Sequence, residues 1–289
     1  MYPDEFEYHR PATVGDAIET LVDNPDAEVL AGGHSLIPAM KTGLSSPDAL
    51  VDIGDIDDLT GIDERGGRVR ISALTDYATI HESDVVNEAA TVLSEAAGEI
   101  GDVQVRNRGT IGGNVAHADP ASDLPGAVLA ADATVTVAGP DGRRTVAVDE
   151  FFHGMYETDV GETEILTGIE VPAAETTGST YVKRPSPSSG YALVGVAAAL
   201  ETDGEVVESA RVAANGVMDR AVRLTPTESA LEGVAVDDTA AFADAAGEAT
   251  TDLDEFMIMD DLQASSEFRA NLLRQYTERA VTTAVERCG

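Results

Sequence analysis

Two short stretches, Ala31-Gly32-Gly33-His34-Ser35-Leu36 and Thr110-Ile111-Gly112-Gly113-Asn114, each set a glycine pair beside a hydroxyl residue. Glycine reaches positive φ freely and lets a main chain approach a ligand closely. Successive N–H groups in such a bend form a concavity that binds anions, and the Ser35 or Thr110 hydroxyl can add a donor. The glycine pairs lie 80 residues apart, so two bends folded against each other could close on one diphosphate from both sides. Ordinary glycine-rich loops are the plain alternative for each. Neither stretch fits the G-x-G-x-x-G dinucleotide pattern or the phosphate-loop pattern ending in Gly-Lys-Ser/Thr.

Other side chains cluster around these bends in sequence. His34 and His117 suit either acid–base work or local hydrogen bonding. Asp119 and Asp123 follow the second bend; a carboxylate beside a diphosphate would repel it, so Asp123 reads as an acceptor for ligand hydroxyls or an orienter of the turn, with an N-cap for a helix at 124–131 as the plain alternative. Arg106 and Arg108 could meet a diphosphate, or serve as ion-pair partners in an acidic chain. Only Lys41 and Lys183 are lysines, so Lys183 needs a reason that arginine would not serve. No catalytic triad and no metal-ligand spacing is present.

The elements that must position these residues follow from periodicity. Val14, Ala17, Ile18, Leu21 and Val22 recur at helical spacing after Thr13, a natural N-cap. Strands are expected at 28–30 and 49–53, with a short helix over 36–41 whose N-terminus points at the first bend. These form a small α/β unit over 1–57. A second unit, 58–174, carries a strand at 68–74, helices at 75–82, 86–99 and 124–131, a hairpin around Gly139-Pro140-Asp141-Gly142, and a strand at 165–171. From Gly178 the pattern gives strands at 180–183, 191–200 and 206–214, the last two joined at Asp203-Gly204. A final helix carries an apolar stripe of Phe268, Leu272, Leu273, Tyr276, Ala280, Val281, Ala284 and Val285. This third unit spans 178–289.

Composition narrows the function classes. The formal net charge is −35, from 53 acidic against 18 basic residues. No basic stripe exists for nucleic acid. The acids are spread along the chain, and near 1 M salt, where the Debye length is about 3 Å, their repulsion is screened. The pattern therefore reads as adaptation to a salt-rich cytoplasm; an acidic face for a basic partner is the competing reading. Cys288 is the sole cysteine, whereas an iron–sulfur cluster takes about four thiolates, so this chain cannot hold one alone. The opening residues lack a leader pattern, and no run of about 18 apolar residues appears. A cytoplasmic protein without a membrane span is expected.

The pair AGGHSLIP (31–38) and TIGGNVAHADPASDLP (110–125), in this order and spacing, resembles the two FAD-binding signatures of the molybdenum hydroxylase flavoproteins. That family comprises the medium subunits of aerobic carbon monoxide dehydrogenases and the flavin domains of xanthine dehydrogenases. The stretches 213–217 and 264–269 are similar to its carboxy-terminal domain. The resemblance implies an α+β fold: a two-subdomain FAD-binding domain of the vanillyl-alcohol-oxidase and cell-wall-reductase (PCMH) type, followed by a sheet packed on helices. It implies FAD as cofactor, held by residues 31–36 and 110–114, and a flavin-contacting carboxylate at Asp123. Leu166 would pack on the adenine, or be simply a buried strand residue. Lys183 and Tyr191 would lie near the ring system, although Pro185–Gly190 departs from the family pattern between them. Partners would be a large molybdopterin-binding subunit and a small 2Fe–2S subunit. A stand-alone NAD(P)H-dependent reductase and a non-catalytic flavin-binding module remain open on sequence alone.

Overall fold

The computed structural model describes residues 2–173 and 177–288; the expected unit boundary at Ala174, like Met1 and Gly289, lies outside the described residues. The first unit is a three-stranded parallel sheet. Its elements are β1 (Glu7–His9), α1 (Val14–Asp23), β2 (Ala27–Leu30), α2 (Leu36–Thr42) and β3 (Ala49–Asp52), in the order β1-β3-β2. The Thr13 hydroxyl accepts the Asp16 N–H and starts α1, which buries Ala17 and Leu21. Leu74 and Ile165 from the next unit close this small core.

The second unit opens with the hairpin β4 (Ile62–Arg65) and β5 (Arg68–Ser72). Six helices follow: α3 (Tyr77–Glu82), α4 (Asp84–Ala89), α5 (Thr91–Gly98), α6 (Val103–Arg106), α7 (Ile111–His117) and α8 (Asp123–Ala130). Next come β6 (Thr134–Gly139), β7 (Gly142–Ala147), the small pair β8 (Phe152–Gly154) and β9 (Glu157–Thr158), and β10 (Ile165–Pro172). The main sheet is antiparallel in the order β4-β5-β10-β6-β7.

Two local expectations change here. The helix expected over 86–99 is broken at Ala90, whose φ of −154° and ψ of 70° are not helical. The break re-aims α5, so that Val92, Leu93, Ala96 and Ala97 are buried and the Val92 N–H reaches the Ser179 hydroxyl. The second glycine stretch is no bend but the first turn of α7, with Thr110 as N-cap accepting the Gly113 N–H.

The third unit is the antiparallel sheet of β11 (Thr177–Pro185), β12 (Ala192–Thr202), β13 (Val207–Asn215) and β14 (Val222–Arg223), followed by α9 (Thr225–Leu231), α10 (Thr239–Gly247) and α11 (Ser266–Glu286). Both faces of this sheet are covered, which is why β12 reads as an unbroken apolar run. Val194, Val196, Ala198 and Leu200 face a core shared with α11, whereas Tyr181, Ala197 and Ala213 belong to the core of the second unit. In α11 the stripe holds from Leu272 to Val285, but Phe268 is exposed and Arg269 takes the inward position. No helix among the described residues is long and apolar enough to cross a membrane.

Candidate functional site

The first glycine stretch links β2 to α2. Gly33 adopts φ +76°, where L side chains are strained. Among the described residues, the backbone N–H groups of Gly32, Gly33, His34, Ser35 and Leu36 donate to no protein group. Five free donors in sequence, with no acidic side chain among residues 31–36, make a local exception in so acidic a chain. His34 is exposed, and Ser35 makes no capping bond, so its hydroxyl is also unengaged.

The second stretch differs. The Ile111 N–H donates to the Thr75 carbonyl at 3.1 Å, Gly112 to Ala73 at 2.8 Å, Gly113 to the Thr110 hydroxyl at 3.3 Å, and Asn114 to the Thr110 carbonyl at 3.0 Å. These donors are satisfied internally, so the anion-binding concavity expected there from Thr110 to Asn114 is absent. Its glycines serve close approach instead. A Cβ on Gly112 would lie 2.5 Å from the Ala73 Cβ. A Cβ on Gly32 would lie 2.2 Å from the Arg108 carbonyl oxygen, and one on Gly113 3.4 Å from the Ala31 Cβ. The first stretch thus packs against the backbone at 108–109 and against Gly113, one side offering donors and the other a wall.

Around that wall runs a polar network. The Asn114 side-chain amide donates to the Tyr77 hydroxyl at 3.0 Å and accepts from the Ser122 hydroxyl at 2.8 Å. Burial pushes the Tyr77 phenol up to about 12. The next residue, Asp123, accepts from the Tyr181 hydroxyl at 2.5 Å and from the Lys183 ammonium at 2.9 Å. Lys183 also donates to the Glu99 carbonyl at 2.8 Å. Desolvation raises the Asp123 carboxyl above its ordinary range, against the pull of Lys183 and Tyr181. Burial and the neighbouring Asp123 carboxylate likewise hold the Tyr181 phenol well above the usual tyrosine range. The N-cap role expected for Asp123 falls to position 122, and its carboxylate turns to β11 instead. Tyr181 and Asn215, 3.2 Å apart, complete the cluster. Asn215 lies within the 213–217 stretch, but only the tertiary pairing of α8 with β11 and β13 brings the two side chains to Asp123.

Tyr191 stands just before β12, half-exposed. The departure at Pro185–Gly190 is a compact loop: the Ser186 N–H donates to the Tyr191 carbonyl at 2.7 Å and Gly190 to Ser186 at 2.9 Å. The Ala192 N–H, bonded to the Ala121 carbonyl at 3.1 Å, fastens this loop beside the end of α7. Partial burial and nearby Asp119 raise the Tyr191 phenol. His117 packs against Tyr156, ring centroids 4.9 Å apart, and burial lowers its pKa. Ala118 and Tyr156 both hold positive φ, at 50° and 59°, and are joined by a hydrogen bond from the Tyr156 N–H to the Ala118 carbonyl. For a bulky tyrosine such a conformation is unusual and marks local strain beside the site. Arg106 caps the Ile100 and Gly101 carbonyls and forms no ion pair among the described residues, while Arg108 is exposed. Leu166 is buried in the second unit's core, on strand β10.

The arrangement is that of a cofactor-binding α+β unit followed by a second α+β domain. Residues 4–174 match the family described as FAD binding domain in molybdopterin dehydrogenase, and residues 179–284 match the CO dehydrogenase flavoprotein C-terminal domain. The chain is 39% identical to the carbon monoxide dehydrogenase medium chain of Hydrogenophaga pseudoflava over the full length of both. It is 32% identical to the nicotine 6-hydroxylase medium subunit of Paenarthrobacter nicotinovorans, covering 96% of each chain. The solved carbon monoxide dehydrogenase of H. pseudoflava, in a form lacking the Mo-pyranopterin moiety of the molybdenum cofactor, superposes over both whole chains with a TM-score of 0.95. The chain therefore belongs to the family of FAD-binding medium subunits of the molybdenum-containing oxidoreductases that includes carbon monoxide and xanthine dehydrogenases. FAD, expected from the two signatures, is that family's cofactor. The donor set suits it: free backbone N–H groups at 32–36 match the charge and hydrogen-bonding needs of a diphosphate.

Proposed function

We propose that this chain is the electron-transfer subunit of a heterotrimeric molybdenum hydroxylase. It would take electrons from a small 2Fe–2S subunit and pass them to an acceptor, while substrate is oxidised on a large molybdopterin-binding subunit. The observation that carries the reading is the meeting of residues 31–33 with 108–113, which sets five free N–H donors against a donor-satisfied backbone wall. In this reading residues 32–36 and the Ser35 hydroxyl hold the diphosphate, and Ala31, Thr110, Ile111, Gly112, Gly113 and Asn114 form the opposing wall. FAD supplies the redox chemistry when bound. Asp123, fixed by Lys183 and Tyr181, orients the segment that follows α7 (Ile111–His117). Tyr191 faces the ring system, and Leu166 backs the adenine side. The single cysteine, Cys288, fits delegation of the iron–sulfur relay to another chain. The charge of −35, spread along the chain, supports a salt-rich cytoplasm as the working environment.

Purification in molar salt tests this directly. A yellow protein with bound FAD and no NAD(P)H oxidation of its own is expected; a colourless protein overturns the reading, and robust oxidation by the isolated chain favours a stand-alone enzyme. Gly33→Val places a branched side chain at φ +76°, with a Cβ already 3.1 Å from Ile37. It is expected to abolish FAD retention while near-native circular dichroism persists, and undiminished flavin content overturns the role assigned to that stretch.

A further inference from the structure

We propose that the five-stranded sheet of the second unit carries a phosphate site on its outer face, with Arg65, Arg68 and Arg70 as donors. Its ligand is inorganic phosphate or the phosphoryl group of a small metabolite. Side chains alternate along β5, so Val69 and Ile71 enter the core while Arg68 and Arg70 stand on the opposite face. There they line a depression of about 180 Å³ together with Arg65, Asp63 and Glu170. No residue of either glycine stretch lines it, so the site is distinct from the one assigned to FAD.

The charges are placed unfavourably for the chain alone. Arg65 and Arg68 stand directly opposite each other across β4 and β5, and like charges in that position destabilise a sheet. With 53 acidic residues against 18 basic, arginines here find carboxylates readily: Arg144 binds Asp159 and Glu164, and Arg223 binds Asp149 and Glu228. Among the described residues neither Arg65 nor Arg70 forms an ion pair, although Asp63 is the register partner of Arg70. The one pair in the depression is long, from Arg68 Nε to Glu170 at 3.6 Å.

Arg70 is nonetheless held in place. β10 shifts register between Leu166 and Gly168, and the guanidinium lies against Gly168, where an added Cβ would come within 3.2 Å of Nε. That Nε is buried and has no hydrogen-bond partner, so packing over the glycine, and not an acceptor on the protein, sets its position. Arg68 is braced from the next strands by the Thr134 hydroxyl at 3.2 Å and the Glu170 carbonyl at 3.4 Å. A planar carboxylate is satisfied by one guanidinium fork, whereas a tetrahedral phosphate accepts from several donors at different angles. Three guanidinium groups around one depression fit the second case, and Asp63 can accept from a protonated phosphate oxygen.

The test titrates the FAD-loaded full chain with inorganic phosphate and with glycerol 3-phosphate, by calorimetry at constant ionic strength with chloride as the balancing anion. Saturable binding of at least one probe is expected, with the melting temperature raised by about 2–4 °C at about tenfold excess over Kd. Tighter binding of glycerol 3-phosphate assigns the site to a phosphorylated metabolite, and the reverse order assigns it to free phosphate. Acetate is expected to bind at least about tenfold more weakly than the better probe. Arg70→Gln and Arg65→Gln should each weaken binding of that probe at least about tenfold, the loss of one charged donor. FAD content and circular dichroism should stay at wild-type values, and Arg143→Gln, outside the depression, should bind as the wild type does. Arg65 is exposed, so its variant keeps the test decisive even if Arg70→Gln fails to fold. The assignment is overturned by the absence of saturable binding, by acetate matching the better probe, or by undiminished affinity in Arg65→Gln.

Discussion

Tyr77 is where a single proton has readable consequences. Its phenol is pushed up to about 12 by burial, from an ordinary value of 10.0. Because the folded protein holds this proton more tightly than the unfolded chain, the site's contribution is complete below pH 10 and is lost as pH rises through 12. A difference of that size corresponds to roughly 3 kcal/mol. Tyr77→Phe should remove that share of the alkaline decline, read as urea midpoints against pH, at a cost of about 1 kcal/mol below pH 10 for the Asn114 donor left unpaired. A decline of wild-type size in the variant would show that other tyrosines carry it. Lys183 and Asp123 make the second residue-scale case, with side chains only 2% and 5% exposed. Lys183→Met strands a buried carboxylate and should destabilise by about 3–5 kcal/mol, whereas Asp123→Leu/Lys183→Met should recover much of that loss. Denaturant unfolding of the two variants measures the difference.

At the scale of elements, α7 shows a helix accepting glycine for the sake of contact. Gly112→Ala would ordinarily favour a helix by about 1 kcal/mol. Here the new methyl meets the Ala73 Cβ at 2.5 Å and the Ala73 carbonyl oxygen at 2.7 Å, and overpacking of this kind costs about 1–3 kcal/mol. A net fall in melting temperature is therefore expected, and a rise would refute the close-approach account. The same residue shows what the sequence made legible. Strands and helices with clear periodicity, such as α1 after its Thr13 cap and the hairpin around Gly139–Gly142, were readable because their signals are local. The glycine pair at 112–113 was read as a bend, because its use depends on Ala73, which lies 39 residues earlier. The break at Ala90 was invisible for a similar reason: it answers to Ser179, 89 residues later. At the site, Lys183 was singled out by its rarity, but its partnership with Asp123 and Tyr181 is tertiary and left no trace in spacing.

For the whole molecule, the charge of −35 sets the conditions under which everything else operates. If the acids are matched to a salt-rich cell interior, raising potassium chloride from 0.1 M to 2 M should lift the melting temperature by about 5 °C or more through screening. An unchanged value would assign the acids to partner contacts instead. The sheet of β11–β14 adds a different constraint, because Tyr181, Ala197 and Ala213 on one of its faces complete the core of the second unit. The flavin half and the carboxy-terminal half therefore share a party wall. Severing the chain between β10 and β11 would leave the amino-terminal fragment with greasy helices α5 and α8 bare along one flank, and the other fragment with an open alanine-rich sheet. Such pieces would have to find each other again or clump, so any library, fusion or split-protein design on this scaffold has to keep that junction intact.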